Sequence, residues 1–336
     1  MDFHAEFTPK EFDKKIEHHH NLLLIGSCFT EQIGKKLADH KFEILQNPNG
    51  ILFNPVSICY ALDSYMNADD HSLEDLFYQN ELWSSWKYHS RFSGMDAQVV
   101  LNNINRSRAV ATEFLKKADW LFITLGSAYV YENKNNGDDG GNLNVVANCH
   151  KVAPDKFNRR LLKVDEVTRL LENSIRKLKI FNPTLKIIFT ISPVRHLREG
   201  FIENNRSKAT LIHAVHEVTS KDSVFYFPAY ELVIDDLRDY RFYAEDLVHP
   251  NYSATNYVWE KFLITCIDGR SREIMKEIAV INAAVNHRPF NPASQQHKKF
   301  KEIHLKKISM LIQKHHYLHF DKEISFLSSD QESSQL

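Results

Sequence analysis

Residues Leu22–Leu37 read LLLIGSCFTEQIGKKL, and this stretch decides the fold. Four apolar residues, Leu22 to Ile25, run straight into Gly26-Ser27-Cys28. Apolar residues then return at Phe29, Ile33 and Leu37. A short unbroken apolar run is a strand buried on both faces. The spacing of four that follows is one face of a helix. A strand that turns through a glycine into a helix exposes the turn at the carboxyl edge of a sheet. It also aims the helix N-terminus at whatever binds there. Ser27 and Cys28 are therefore two candidate nucleophiles. The structural alternative makes Ser27 a helix cap and Cys28 a small buried hydrophobe.

The same alternation recurs outward from this turn. Phe42–Leu45, Trp120–Leu125, Lys186–Ile191 and Val224–Phe227 read as four more strands. Helices are expected over 30–40, from Pro55 onward, and over 99–118, 164–179, 207–219 and 254–266, the last capped by Ser253. Five alternations predict an open, mostly parallel sheet with helices on both faces. Sites in such sheets lie at the carboxyl ends of the strands. Ser27/Cys28, Asn49/Gly50, Gly126/Ser127, Ser192/Arg195 and Glu231 all follow strands and so share one edge.

The expected organisation is an α/β domain over 1–268, a helical extension over 269–327 and a disordered tail over 328–336. The extension should hold helices near 275–285 and 300–313. An aromatic insertion at about 68–98, with Trp83, Trp86, Tyr88, His89 and Phe92, reads as a lid or satellite core. Residues 1–20 read as a polar lead-in, with His18-His19-His20 in solvated loop, and 133–144 as a flexible polar tip.

Composition narrows the function classes. The chain has 336 residues, 43% hydrophobic and 25% charged, an ordinary globular balance. With 42 basic and 43 acidic residues there is no basic field for nucleic acid or a membrane surface. The N-terminus has no apolar signal region, and no apolar run approaches spanning length. Cys28, Cys59, Cys149 and Cys266 are scattered, which fits free thiols in a reducing compartment, read here as the cytoplasm. Cys149, His150 and His196 do not form a zinc spacing, and no glycine-rich phosphate loop appears. No metal and no cofactor are expected.

Tyr240–Ser253, YRFYAEDLVHPNYS, supplies the second half of a chemistry. Asp246 and His249 are three apart, so they lie on one side of a tight turn. A carboxylate there accepts from one imidazole nitrogen, and the other is left to act as base.

Together IGSCFTEQIG, NPNGILFNP, TLGSAYVYE, NCHK, SPVRHLREG, FPAYE, DDLRDYRFYAEDLVHP and HRPF resemble the GSCFA family over about residues 22–320. That family is similar to the SGNH/GDSL hydrolases. The resemblance implies a three-layer α/β/α sandwich with a five-stranded sheet, and ester hydrolysis by a Ser–His–Asp arrangement. Asp246 and His249 match the superfamily's Asp-x-x-His block. Aligning GSCFTE with Gly-Asp-Ser-Leu by its glycine puts Ser27 at the aspartate and Cys28 at the nucleophile, with Ser27 close behind as the alternative. Gly50 fits the superfamily's second oxyanion donor. The asparagine of its third block is missing after Gly126, and Ser127, Asn49 or Asn148 are the candidate substitutes. Arg195 is a candidate for holding a substrate anion. The reading implied is an esterase of small-molecule or carbohydrate esters, carbohydrate deacetylation among them. The alternatives are an acyltransferase using the same covalent intermediate and a binding protein that kept the fold.

Overall fold

Leu22 and Leu24 bury themselves on one face of a sheet, and Leu23 and Ile25 on the other. The computed structural model describes residues 5–67, 69–134, 144–219 and 223–329. In chain order they form β1 (Asn21–Gly26), α1 (Cys28–Asp39), β2 (Glu43–Gln46) and α2 (Pro55–Asn67). The insertion contributes β3 (Phe77–Gln79) and β4 (Leu82–Ser84), followed by α3 (Ala97–Lys117) and β5 (Trp120–Leu125). Next come β6 (Tyr129–Asn133), β7 (Phe157–Leu161), α4 (Val164–Phe181), β8 (Lys186–Ile191), α5 (Phe201–Val218) and β9 (Val224–Tyr226). A short turn α6 (Ala229–Glu231) precedes α7 (Tyr252–Cys266), α8 (Gly269–Asn286), α9 (Gln295–Lys314) and α10 (Asp321–Ser328).

The central sheet runs β2-β1-β5-β8-β9, and every pair is parallel. One face packs Leu23, Ile25, Ile123 and Phe189 against α2, α3, α4 and α5 through Leu62, Leu115, Leu171 and Leu211. The other packs Leu22, Leu24, Phe122 and Ile188 against α1 and α7 through Phe29, Ile33, Trp259 and Phe262. The result is the three-layer α/β/α sandwich. A separate apolar cluster joins α8, α9 and α10 through Ile278, Ile281, Ile308, Leu311 and Leu327. These helices are held to the sandwich by Lys41–Glu323, 2.6 Å, and by Asn282 Nδ2 donating to Asp39 O, also 2.6 Å.

Several local expectations are corrected. The lead-in is a strap, not free chain: Ile16 bridges Ile267, and Ile16 N donates to Cys266 O at 2.7 Å. His18 is buried rather than solvated, because its ring packs on Phe42 and its N–H is taken by Ser271 Oγ. The cap of α7 is Asn251, whose Oδ1 accepts from Ala254 N, while Ser253 is exposed. β6 and β7 pair antiparallel on either side of the polar tip, and α10 adds a third helix to the two expected in the extension. The insertion packs as satellite core, with Tyr88 buried among Val100, Leu101 and Ile104 of α3. Most of the polar tip (135–143) and of the tail (330–336) lie outside the described residues.

Two predictions follow from packing. Gly26 has φ +153°, and an added Cβ would meet Thr30 Oγ1 at 2.7 Å and crowd the backbone oxygen of Thr124 more closely still. Overpacking and backbone strain each cost about 1–3 kcal/mol, so Gly26→Ala should lose about 2–4 kcal/mol. Urea unfolding checks this, and an unchanged midpoint would contradict it. His18 is held by burial down to about 4. The unfolded chain therefore binds its proton first, near the ordinary value of about 6.5. Its contribution to stability is complete above that value and is lost as pH falls toward about 4. His18→Gln should flatten the fall in melting temperature across that interval; identical pH slopes in both proteins would refute this.

Candidate active site

The carboxyl edge of the sheet is laced together by backbone hydrogen bonds. Ser27 N donates to Thr124 O at 3.3 Å, and Leu52 N to Gly26 O at 3.1 Å. Gly126 N and Ser127 N both donate to Phe53 O, and Ser192 N to Leu125 O. The turns after β1, β5 and β8 are thereby fixed to one another. Within this frame Ser27 is buried, and its Oγ accepts from Phe29 N at 3.3 Å as the cap of α1. Cys28 is the first residue of α1 and only partly buried. Burial pushes its thiol up. Glu31 adds to that rise, while nearby N–H groups and Lys208 oppose it.

Asp246 and His249 stand on a tight loop. Leu247 takes φ +57°, and Ala244 N donates to His249 O at 2.8 Å. Asp246 Oδ1 accepts from Val248 N and His249 N at 2.9 and 3.0 Å. Asp246 Oδ2 lies 2.7 Å from His249 Nδ1. The two N–H bonds, with the imidazole, hold the carboxyl down to about 2. It is therefore ionised at all working pH values and can fix the imidazole tautomer. Both side chains are about half exposed. The loop is tied to the segment after β8, since Arg195 N donates to Val248 O at 3.1 Å. The Arg195 guanidinium lies 4.0 Å from the centre of the Tyr243 ring. In this structure Arg195 clamps that loop.

The candidate oxyanion and substrate-binding residues are largely engaged elsewhere. Gly50 N donates to Asn47 O, closing a turn at φ +80°. Asn49 is buried, accepts from Tyr65 OH at 2.6 Å and donates to Lys87 O. The N–H groups of Gly126 and Ser127 are spent on Phe53. Ser127 Oγ accepts from Tyr129 N and pairs with Ser207 Oγ. Asn148 Oδ1 accepts from His150 N. Glu231 accepts from Tyr226 OH.

Two residues at this edge were missed. Lys208, on α5, is 1% exposed, and its Nζ donates to Gly126 O and Ser192 O, both at 2.7 Å. His196 packs on Phe53 with ring centres 5.1 Å apart, and its buried Nε2 has no partner among the described residues. A Cβ on Gly126 would meet that nitrogen at 2.9 Å. Burial holds His196 down to about 3, with Lys208 and His249 adding their charge. Lys208 was detectable in the sequence. Asn204, Ser207/Lys208, Leu211, Ala214/Val215 and Val218 form one buried stripe of α5, and a lysine on such a stripe is anomalous.

For metals, the ligand atoms of Glu17, His19 and His20 lie within 4.8 Å of one another. His20 Nδ1 already accepts from Glu17 N and Trp120 Nε1. A cavity of about 780 Å³ opens beside α8 and α9, lined by His287, Arg288 and Lys298, and it holds none of the candidate residues.

The sequence profile of the GSCFA family matches residues 21–262, well over half of the chain. The chain belongs to the GSCFA family. A second profile, described as GSCFA domain protein, C-terminal domain, matches residues 278–330. No curated protein matches this GSCFA chain. Among solved structures it is similar to a carbohydrate esterase family 3 from Talaromyces cellulolyticus, at 10% identity and TM-score 0.35. That likeness covers 78% of this chain and 99% of that one. It is also similar to a serine-to-alanine mutant of an acetyl esterase with acetate ion, at 10% identity and TM-score 0.34, with the same coverage. Neither likeness is close enough to assign a site residue. The family match over 21–262 contains every residue of the candidate site.

Proposed function

We propose that this GSCFA protein is an SGNH-like esterase acting on small-molecule or carbohydrate esters, deacetylation of a carbohydrate being the form we favour. The observation that carries the reading is the 2.7 Å Asp246–His249 pair on the loop fastened to the β8 turn. The β1 turn, laced to the same edge, presents Cys28 at a helix N-terminus. In this reading Cys28 Sγ attacks the ester carbonyl carbon. His249 Nε2 takes the thiol proton and returns it to the leaving alcohol, while Asp246 holds the imidazole. Water, activated by the same nitrogen, then attacks the thioester carbon; the carbon–sulfur bond breaks, the acid leaves, and His249 passes the water proton to Cys28 Sγ. With Gly50 and Gly126 engaged, and Phe29 N and Thr30 N spent on Ser27, the oxyanion is assigned to Cys28 N at the start of α1, where the helix dipole favours negative charge. Cytoplasmic residence is part of the proposal and rests on the free cysteines. Among the described residues no helix is long and apolar enough to cross a membrane.

The test is turnover of p-nitrophenyl acetate and of an acetylated sugar, with and without added alcohol or amine acceptor. Hydrolysis that ignores the acceptor supports the esterase. Acyl groups recovered mainly on the acceptor would replace it with the acyltransferase, and ligand binding without turnover would replace it with a binding protein.

A further inference from the structure

We propose that the cavity of the helical extension is a binding site for a small molecule that joins a phosphate ester to an apolar body. It is separate from the candidate active site and does not rest on the esterase reading. The motif His287-Arg288-Pro289-Phe290, which follows α8, and the first turns of α9 build it. At about 780 Å³ it has the size of a small-molecule site, for which about 300–1,000 Å³ is usual. Its wall carries His287, Arg288, His297, Lys298 and Lys301, and among the described residues no carboxylate lines it. None of the three cations forms an ion pair among the described residues, and Lys301 Nζ donates to the neutral Ser329 O. The whole chain balances 42 basic against 43 acidic residues, so this positive charge is local. Three cations sharing one concave wall repel each other until an anion sits among them.

The wall is built in advance of any ligand. The Phe300 ring packs against both imidazoles, its centre 5.3 Å from that of His287 and 6.0 Å from that of His297. Asn291 closes the loop between the helices: its Oδ1 accepts from Ala293 N at 3.1 Å and its backbone oxygen from Ser294 N at 3.2 Å. Pro289 and Pro292 stiffen the same loop. Desolvation lowers the His297 imidazole, and Lys301 and His287 lower it further, as crowded like charges do. The chemistry of the wall selects the ligand. A guanidinium fork takes two phosphate oxygens and an ammonium takes a third. A phosphate also brings nearly two negative charges, where a single carboxylate brings one. Val285, Pro292 and Phe326 supply the apolar surface for the rest of the molecule.

The test is calorimetry on the full chain with ADP and with hexyl phosphate, each against its phosphate-free counterpart, adenosine or hexanol. At least one phosphate should bind, and the tighter of the two names the apolar body as nucleoside-like or lipid-like. The counterpart should bind about tenfold more weakly or worse. Arg288→Ala combined with Lys298→Ala should weaken phosphate binding about tenfold or more. Both side chains are exposed, so the melting temperature should stay nearly unchanged. Wild-type affinity should fall as sodium chloride is raised. His249→Ala should bind as the wild type does, whatever becomes of the esterase reading. No binding of either phosphate at about 1 mM, a counterpart that binds as tightly, or a double variant that binds normally would overturn the proposal. So would loss of binding in His249→Ala, which would move the ligand to the other site. Should the double variant fail to fold, the salt series decides, and an affinity indifferent to salt overturns the idea.

Discussion

Cys28→Ala is expected to abolish acyl-enzyme formation and to lower esterase turnover by about a thousandfold or more, because covalent catalysis has no path without its nucleophile. Ser27→Ala is the informative comparison. The Ser27 hydroxyl is buried and committed to Phe29 N as the cap of α1. Its loss should cost about 1 kcal/mol of stability, with acylation retained. Cys28 instead sits partly exposed at the first position of that helix. Burial and Glu31 push its thiol up, so the attack needs His249 as general base. In the proposed reading the two adjacent residues divide the work, one holding the turn and the other meeting the substrate. Turnover and melting temperature measured on both variants separate these effects. Loss of acylation in Ser27→Ala with full acylation in Cys28→Ala would reverse the assignment.

His249→Ala should lower turnover by roughly 10²–10⁴-fold, the usual contribution of a positioned general base. The residue is about half exposed, so the truncation should leave stability nearly unchanged. Asp246→Asn should cost less than His249→Ala, since one amide oxygen can still take a hydrogen bond. It cannot serve His249 Nδ1 as a carboxylate while also accepting from Val248 N and His249 N. Because Asp246 stays ionised down to about 2, its own protonation does not shape the activity profile above about pH 4. An acid limb there that disappears in Asp246→Asn would contradict its role as an orienter. Steady-state kinetics across pH, with circular dichroism as the fold control, check both variants.

The parts legible in the sequence were those written in local pattern. Leu22–Ile25 announced a strand covered on both faces because every side chain in it is apolar, and both cores receive it. Asp246 and His249 were legible because a three-residue spacing on a turn suffices to bring them together. What stayed hidden depends on distant chain. His18 looks like solvated loop until Ile16 bridges Ile267 and Ser271 takes its N–H. Asn251 and Ser253 are equally good caps on paper. The choice falls to Asn251, whose Nδ2 also reaches Arg241 O at 2.7 Å. Gly50 has the right residue type for an oxyanion donor, but only the fold reveals that its N–H closes a turn on Asn47. Lys208 lies in no motif. Its signal was a cation on an apolar helical stripe, and its two carbonyl partners are set by where β5 and β8 end.

The central claim is that Cys28 carries the acyl group. The most direct measurement is intact-protein and peptide mass spectrometry of a reaction with p-nitrophenyl acetate quenched in acid, on the wild type and on Cys28→Ala, Ser27→Ala and His249→Ala. The account predicts one acetyl group on the Cys28 peptide, absent from Cys28→Ala, kept in Ser27→Ala and strongly delayed in His249→Ala. Acetyl found on Ser27, or on surface lysines alike in all four proteins, would contradict it.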